Sequence, residues 1–317
     1  MRAVTIAGGE IVVADRPDPV AGAGEILVRV RAAGLNNADL LQRAGFYPPP
    51  EGIPADIPGL ELAGEVVALG PSATRFEIGD RVMAVVGGAA QAELALVHER
   101  VAMPVPGSVS WETAGGFPEC NLTAHDALFT QADLALGERV LVSGAAGGVG
   151  TAAVQLAAAA GARVVASVRH AALRPVVEAL GPPGAIVAID PADAADHGPY
   201  DVVLELVGGP NMEANLAALA TDGRISIIGT GAGGRADINL MALMQARGRI
   251  HGSTLRTRPL EQKADVARRA EKSVLPALAA GRIKVPITAV FDLAEAAAAY
   301  ERFAAGAKFG KIVITSA

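Results

Sequence analysis

The sequence predicts an α/β protein with two domains, one rich in β-strands and one built on a doubly wound parallel sheet. Its 317 residues exceed what a single hydrophobic core usually encloses. Near Leu122 the pattern changes from short β-like runs with turns to strands that alternate with alanine-rich helices. With 51% hydrophobic and 19% charged residues, the composition is typical of a folded α/β protein and argues against extensive disorder.

Short strands dominate the first hundred residues. In GEILVRVRAAG, a period of two places Ile26, Val28 and Val30 on one face and Leu27 and Arg29 on the other. The runs ELAGEVVALG, RVMAVVGG and AQAELALVHERVAMPVP continue in the same manner. These patterns predict a mostly antiparallel β domain.

The middle of the chain alternates strands and helices. RVLVSG, RVVASV, DVVLELVGG and GRISIIGTG are strand patterns. In the first helix, small apolar residues recur at helical spacing and predict one stripe against the sheet: Val149, Ala152, Ala153, Leu156 and Ala160. The last sixty residues, with a helix around 293–304 and the closing strand KIVIT, predict a return to the first domain. We therefore expect domains at 1–121 and 122–256, with 257–317 rejoining the first.

Composition also limits the function. The net charge of -6 argues against a nucleic-acid or anionic-membrane surface as the main partner. The single Cys120 cannot form an internal disulfide, which favours a reducing cytoplasm. The start has no signal-peptide pattern. The apolar stretch 149–168 has the length of a membrane span, but Gly161 and Ala162 divide it into a helix and a strand.

A glycine-rich loop, SGAAGGVGTAAVQL, follows the first strand of the middle region and opens a helix. Backbone N–H groups at such a helix start have no intrahelical acceptor and bind a pyrophosphate. The residues that we expect at this cofactor site are Gly144, Ala146, Gly147, Gly148, Val149 and Gly150. Gly208 and Gly229 end two further strands, where the backbone allows close approach of a ligand. The alternative is a tight turn that serves only close helix packing.

The acid that would select NAD is missing. A unit that binds NAD carries Asp or Glu at the end of its second strand, about 20 residues after the loop begins. From Thr151 to Val177 there is no acidic residue, and the expected position reads Ser167, Val168, Arg169, His170. A guanidinium pairs with the 2′-phosphate of NADPH by charge-assisted hydrogen bonds. We predict NADPH, with Arg169 as the main discriminator beside Ser167 and His170; the alternative is that Arg169 is only a solvated surface residue.

Six segments carry a resemblance to a known family. They are GLNNADLLQRAGFYPPP, PGLELAGEVVALG, FPECNLTAHDAL, SGAAGGVGTAAVQLA, GRISIIGTGAG and FGKIVIT. The chain resembles the medium-chain dehydrogenase/reductase superfamily, and within it the zinc-independent NADPH:quinone oxidoreductases of the zeta-crystallin type. The stretch NNADLLQRAGFYPPP is most similar to the tumour-suppressor-inducible branch. The resemblance implies a GroES-like domain, a Rossmann domain and reduction of quinones or related α,β-unsaturated carbonyls.

The resemblance also indicates the absence of a metal. Zinc-dependent members have Cys, a His-Glu pair and a second Cys where this chain has Asn36, Leu60 with Glu61, and Glu119. Neither thiolate nor histidine is present at these positions, so we predict no zinc site. Cys120 lies one position away and is predicted to be a small packed residue. Without a Lewis acid, a quinone is an easier acceptor than a simple ketone, because the product anion is delocalised.

Catalytic residues are implied by the same resemblance. Asn36 and Asp39 match positions near the nicotinamide, and Tyr47 matches a tyrosine that covers the substrate cleft. Each has a structural alternative: Asn36 caps a helix, Asp39 caps or pairs with Arg43, and Tyr47 only packs. Further positions match residues near the cofactor: Thr123, Phe309 and Lys311.

Two functional hypotheses remain open at this point. The first is an NADPH-dependent reductase of quinones or enones. The second is a nucleotide-binding protein with a structural, sensing or RNA-binding role, because one fold hosts both. A homodimer is also expected, because the stretch 249–255 has the pattern of a last strand with an unpaired edge, which two-fold pairing would cover.

Overall fold

The computed structural model describes residues 1–316. By backbone contacts the chain divides into two compact units. The first unit contains Met1–Leu122 and the segment that begins at Leu255, and the second unit contains Thr123–Thr254. The boundaries expected from the sequence lie within two residues of these positions.

Strands and helices follow one another along the chain. The strands are β1 Arg2–Ala7, β2 Glu10–Asp15, β3 Glu25–Gly34, β4 Glu61–Leu69, β5 Arg81–Val85, β6 Leu94–His98, β7 Met103–Pro104, β8 Arg139–Val142, β9 Arg163–Ser167, β10 Ile186–Ile189, β11 Tyr200–Glu205, β12 Leu219–Ile227, β13 Arg249–Gly252, β14 Ile287–Asp292 and β15 Lys311–Thr315. The α-helices are α1 Asn37–Arg43, α2 Trp111–Gly115, α3 Pro118–His125, α4 Gly148–Ala159, α5 Arg174–Glu178, α6 Met212–Ala217, α7 Leu240–Ala246, α8 Leu260–Ser273, α9 Leu275–Ala279 and α10 Ala296–Ala304.

The first unit is built on a seven-stranded, mostly antiparallel sheet. Its strand order is β14-β15-β3-β4-β5-β7, with β6 also paired to β3, and β1 and β2 form a separate hairpin. Ile26, Val28 and Val30 are at most 1% exposed, which confirms the face predicted for β3. The closing strand β15 pairs with β3, Val313 opposite Gly34. The end of the chain therefore completes the first unit.

The second unit contains a six-stranded parallel sheet in the order β10-β9-β8-β11-β12-β13. The strand order reverses at β8, which lies between β9 and β11. Ligands of such sheets bind beyond the carboxyl ends of the strands at this switch point. The glycine-rich loop follows β8 directly, so the predicted doubly wound sheet places the loop at that position.

Some elements differ from the sequence prediction. Strand β10 and a π-helix at Asp126–Gln131 were not predicted. The helix after β9 is only five residues long, because Gly181 and two prolines follow its end. Helix α4 is buried on all sides from Gly150 to Ala157, rather than along one stripe. Within residues 1–316, no helix combines the length and apolar character that a bilayer crossing requires.

Candidate functional site

The glycine-rich loop of the second unit leaves a helix start open. Gly144 has a φ of +60°, and the N–H of Gly147 donates to its carbonyl at 3.0 Å. Gly147 is the N-cap of α4 and has no side chain to accept from the first helical turn. The half-buried loop residues Ala146, Gly148 and Val149 complete this turn. The N-terminus of α4 is therefore suited to an anionic group.

Gly150 has a packing role in the same loop. A Cβ at this position would lie 2.5 Å from the carbonyl oxygen of Gly144 and 2.6 Å from Cα of Ala145. Both are backbone atoms that cannot rotate away. Close packing therefore explains Gly150, whereas it does not explain Gly147, whose Cβ would approach nothing closer than 3.4 Å.

The end of β9 presents an arginine and a histidine side chain to solvent. Arg169 and His170 are exposed, and within residues 1–316 neither side chain forms a hydrogen bond or ion pair with the protein. Ser167 is buried, and its carbonyl accepts from the N–H of Ala145 in the glycine loop at 3.1 Å. The nearby Arg174 is already paired with Asp190. Arg169, rather than Arg174, is the guanidinium that remains open to a ligand.

Glu205 is a buried carboxylate that the sequence analysis missed. Its Oε1 accepts from Ser143 Oγ at 2.9 Å and from the N–H groups of Val207 and Gly208 at 2.6 and 2.7 Å. Its Oε2 accepts from the Asn215 amide at 2.6 Å. Glu205 thus joins the end of β8 to the loop after β11. The only signal in the sequence is an acid in the apolar strand DVVLELVGG.

The other predicted cofactor residues are divided between the units. In the second unit, Gly208 has its N–H bonded to Glu205, and a Cβ on Gly229 would lie 2.4 Å from the Leu206 carbonyl oxygen. Close packing of the backbone therefore accounts for Gly229, the N–H of Gly208 is already used within the protein, and contact of either glycine with a cofactor stays a prediction. Thr123 begins the second unit and is buried. Phe309 belongs to the first unit, where its backbone N–H and carbonyl both bond to Thr288 Oγ1.

The first unit contains a buried ammonium group. Lys311 Nζ donates to the Leu35 carbonyl at 2.7 Å, to Asn36 Oδ1 at 2.7 Å and to Glu61 Oε1 at 2.6 Å. Lys311 is 2% exposed and Glu61 is 0% exposed. Burial acts to lower the pKa of Lys311, but Cys120, Glu61 and Asp39 together outweigh it and hold that pKa above its usual value. Three acceptors use all three N–H donors, so this arrangement leaves none for a cofactor phosphate.

Asn36 and Asp39 are held in the same network. Asn36 Nδ2 donates to Glu61 Oε1 at 2.8 Å, and the Asn36 N–H donates to Asp39 Oδ2 at 2.8 Å. Asp39 Oδ1 accepts from the N–H of Gly59 at 3.1 Å. Asp39 therefore caps α1, whose N-cap is Asn36, and Arg43 donates elsewhere, to the Gly9 carbonyl. Direct action of Asn36 and Asp39 on a substrate stays a prediction; in the structure they organise the backbone.

The carboxyl group of Asp39 also has an unusual pKa. The side chain is 1% exposed, and burial raises its pKa to about 6, although the N–H groups of Asn36 and Gly59 and the charge of Lys311 act to lower it. Its Oδ2 also lies 3.4 Å from the Gln91 amide nitrogen. A carboxyl that is this deeply buried changes its charge near neutral pH rather than in acid.

Tyr47 differs from the other two predicted catalytic residues. It is half-buried in the loop after α1, and three prolines at 48–50 stiffen the chain that follows. Among residues 1–316 its hydroxyl has no protein hydrogen-bond partner. Burial raises the pKa of Tyr47, and the nearby Arg256 opposes that change. Of the three side chains, only Tyr47 keeps its reactive atom available to a ligand.

The donor set of the first unit does not fit zinc. The positions that the resemblance matches to zinc ligands hold the amide of Asn36 and the carboxylate of Glu61, which also accepts from the Glu119 N–H at 2.8 Å. The Lys311 ammonium already neutralises this carboxylate. Zinc sites in proteins are built mainly from thiolate and imidazole ligands, to which a carboxylate is added, and no thiolate or imidazole occupies these matched positions. Cys120 is buried, with its thiol pKa raised to about 12 by burial, and in residues 1–316 no cluster of three or more His, Cys, Asp and Glu is placed to hold a metal.

The Lys311–Glu61 pair should be essential for stability. Lys311→Met leaves the Glu61 carboxylate buried without its cation, which costs about 3–5 kcal/mol in the free energy of unfolding. Urea unfolding measures this loss. Adding Glu61→Gln to Lys311→Met should recover part of it, because the stranded charge is removed.

Lys308→Met is the matched control, because Lys308 is half-buried and its ammonium lies only over the Phe303 ring, at 3.8 Å. Lys308→Met should lower the free energy of unfolding by less than about 1 kcal/mol. An equal loss in the two lysine variants would contradict a special role of the buried pair.

Asp39 should make stability depend on pH near neutrality. Its pKa of about 6 exceeds the ordinary 3.8, so the folded state binds the proton more tightly than the unfolded state. This contribution is fully present below about pH 4 and is lost, by about 3 kcal/mol, as the pH rises through about 6. Urea unfolding of the wild type and Asp39→Asn should therefore give a stability difference that changes between about pH 4 and pH 7. A stability difference that is independent of pH would show that folding does not raise the pKa of Asp39.

Comparisons with known proteins agree with this architecture. The family described as "Alcohol dehydrogenase GroES-like domain" matches residues 22–133, and "Zinc-binding dehydrogenase" matches residues 184–314. A quinone oxidoreductase of Pseudomonas aeruginosa is 33% identical over 304 residues, which cover 92% of this chain and 91% of that protein. Other relatives are much longer: the chain spans 4% of polyketide synthase GfsB of Streptomyces halstedii, at 38% identity over 65% of this chain.

Solved structures are also similar over the whole chain. The quinone oxidoreductase of Pseudomonas syringae pv. Tomato DC3000 has a TM-score of 0.86 and 28% identity, with 99% of each chain covered. The mycobacterial protein Rv1454c, solved in complex with NADPH, has a TM-score of 0.87 and 25% identity, with 99% of each chain covered. The predicted combination of a GroES-like domain and a Rossmann domain is confirmed. The chain belongs to the medium-chain dehydrogenase/reductase superfamily of oxidoreductases.

Proposed function

We propose that this protein is an NADPH-dependent reductase of quinones or related α,β-unsaturated carbonyls that works without zinc. The observation that carries the proposal is Arg169, an exposed guanidinium at the end of β9 that has no side-chain partner among residues 1–316. An NAD-binding unit would have an acid there to bind the ribose hydroxyls. A 2′-phosphate would give Arg169 the charge-assisted partner that it lacks in the protein.

The glycine loop and the relatives support the same cofactor. The open N-terminus of α4 suits the pyrophosphate, and the similar mycobacterial protein was solved with NADPH. When bound, NADPH supplies a hydride. The quinone oxidoreductases among the similar proteins support a quinone as the acceptor.

The first unit suggests how an acceptor is reduced without a metal. Reduction of a quinone leaves a delocalised anion, which needs a hydrogen-bond donor rather than a Lewis acid. The Tyr47 hydroxyl is such a donor, and its ring offers a flat surface for stacking. Asn36 and Asp39 act in this proposal by fixing the start of α1, which precedes the Tyr47 loop. The cytoplasm remains the proposed compartment.

Arg169→Ala should weaken NADPH binding far more than NADH binding. Loss of the phosphate pair corresponds to about 1.5–3 kcal/mol, or about 10- to 150-fold in Kd. Fluorescence titration with both nucleotides measures it. Arg163→Ala is the matched control, because Arg163 is an exposed arginine at the opposite end of β9. Equal affinity of the wild type for NADPH and NADH would refute the cofactor assignment.

Turnover separates an enzyme from a nucleotide-binding protein. Wild-type protein should oxidise NADPH when quinones or conjugated enones are added. Tight binding of NADPH, with no oxidation of NADPH by any of the quinones or enones added, would favour the non-catalytic hypothesis.

We also propose a homodimer through β13. This strand is the last in the sheet, and helix α7, which packs on the neighbouring β12, exposes Leu240, Met241 and Met244 by 68%, 59% and 69%. Together they form an apolar patch near an unpaired edge, which soluble proteins rarely leave open. A two-fold contact would cover both copies at once.

The double substitution Met241→Lys with Met244→Lys should shift the dimer toward monomer. Two lysines per subunit would bring four charges into the contact without altering the sheet. Sedimentation at micromolar concentration should give about twice the chain mass of 32.0 kDa for the wild type. Leu136→Lys, at an 83% exposed leucine before β8, is the control and should leave the dimer intact. A wild type that sediments as a single 32.0 kDa species would reject the dimer.

A further inference from the structure

Arg256 of the first unit is a buried guanidinium that joins three separate segments. Only 3% of the residue is exposed. Its Nε donates to the Gly87 carbonyl at 2.8 Å, Nη1 donates to the Tyr47 carbonyl at 2.8 Å, and Nη2 donates to Gln42 Oε1 at 2.5 Å. These partners lie after β5, in the loop after α1, and within α1. Arg256 therefore fixes the position of the Tyr47 loop.

The charge of Arg256 has no counterion in the protein. All three acceptors are neutral oxygens, and across residues 1–316 no carboxylate forms an ion pair with this guanidinium. Burial lowers the pKa of Arg256, and Tyr47, Asp39 and Glu119 oppose that change without forming an ion pair with it. Burial of a cation without a counterion is unfavourable. An uncompensated charge of this kind beside an accessible side chain indicates a functional site rather than a purely structural contact.

The accessible side chain is Tyr47. The guanidinium carbon of Arg256 lies 4.8 Å from the centre of the Tyr47 ring, which is cation–π distance. A second cation, the half-buried Lys263, is close enough for Arg256 to lower its pKa, although burial is the larger cause. The charged groups that act on Tyr47 are Arg256 and, in the opposite sense, Glu119, while Asp39 and Glu119 act on Arg256. Arg256 lies against the Tyr47 ring and has no carboxylate ion-pair partner among residues 1–316, so its charge favours an anion beside that ring.

We propose that Arg256 is a positioning residue that holds the Tyr47 ring and, by its fixed charge, selects acceptors whose oxygen becomes negative on reduction. This inference rests on the proposed function. Addition of a hydride to a quinone gives the hydroquinone monoanion, and NADPH becomes NADP⁺. One proton, from the Tyr47 hydroxyl or from water, then completes the hydroquinone. A fixed cation stabilises the anion and so favours acceptors that form such an anion.

Kinetics with a graded series of acceptors tests the selection. We would measure kcat/KM for ring-substituted quinones whose hydroquinones differ in acidity, in wild type, Arg256→Lys and Arg256→Gln. Because Arg256→Gln removes the charge, its kcat/KM should fall about 10- to 100-fold with quinones whose hydroquinone anions are the most basic. With quinones whose hydroquinones are the most acidic, kcat/KM should fall less than about 3-fold. Arg256→Lys keeps the charge and should retain the wild-type dependence on acidity, even where its rates are lower.

A binding measurement tests the same charge without turnover. Substituted nitrophenols mimic the hydroquinone, and their colour reports whether the bound molecule is ionised. Wild-type protein should bind the phenolate in preference to the phenol, and Arg256→Gln should reduce this preference about 10- to 100-fold. Arg269→Gln, at an exposed arginine of α8 that pairs with Asp265, is the matched control and should behave as the wild type.

The outcomes separate the inference from the proposed function. A uniform loss of kcat/KM for all acceptors in Arg256→Gln, with a lower melting temperature and unchanged phenolate preference, would show that Arg256 only packs and would overturn the inference. An absence of NADPH oxidation by wild type with every acceptor would reject the proposed function. Phenolate selection lost in Arg256→Gln would still support the anion-favouring role in that case.

Discussion

The organisation of the first unit depends on the ammonium of Lys311 and the three oxygens that surround it. Nζ lies between the Leu35 carbonyl, Asn36 Oδ1 and Glu61 Oε1, all within 2.7 Å. These acceptors come from the end of β3, the start of α1 and the start of β4, while Lys311 itself begins β15. One side chain from the end of the sequence thus holds together the elements from which the Tyr47 loop departs. Burial makes the contact cooperative, because each charge would be costly without the other.

The same group does not offer the ligands of a zinc site. Where zinc-dependent members are expected to carry soft ligands, this chain has an amide, a carboxylate and an ammonium that form a closed, neutral network. Such a network provides fixed geometry but no Lewis acid. In the proposed function, the chemistry depends on an acceptor that stabilises its own negative charge, and on the polar groups near Tyr47. In the same proposal, the charge of Arg256, which lies over the Tyr47 ring and has no ion-pair partner among residues 1–316, stabilises that anion.

A buried charge also organises the second unit. Glu205 gathers donors from the end of β8 and from the loop after β11, which are the two strand ends beside the switch point of the sheet. No ion pair to Glu205 is present within the part of the chain that the structure describes. Its backbone donors fix the loop at Gly208 in a conformation with a φ of +121°. The glycine loop is therefore braced by a carboxylate as well as by close packing.

Local patterns in the sequence were sufficient for most strands of the two sheets, the glycine loop and the edge strand β13, because strand period and turn residues act over a few positions. The cap of α1 at Asn36 was the alternative to the catalytic role that the resemblance implies for this residue. They could not show that Lys311 reaches Glu61, 250 positions away, or that Arg256 reaches Tyr47, 209 positions away. A lone Lys or Arg has no periodicity that signals burial, so such contacts emerge only in the fold. Strand β10 was missed, although with four residues it is as long as β8 and β13.

The central claim is that this chain transfers a hydride from NADPH without a metal. The most direct test is a single-turnover reaction of exhaustively metal-stripped protein with a quinone, using NADPH that carries deuterium at the transferred position. The account predicts that the stripped protein turns over at the rate of the untreated protein and that deuterium slows the step. Loss of turnover on stripping, with recovery on addition of zinc, would contradict it.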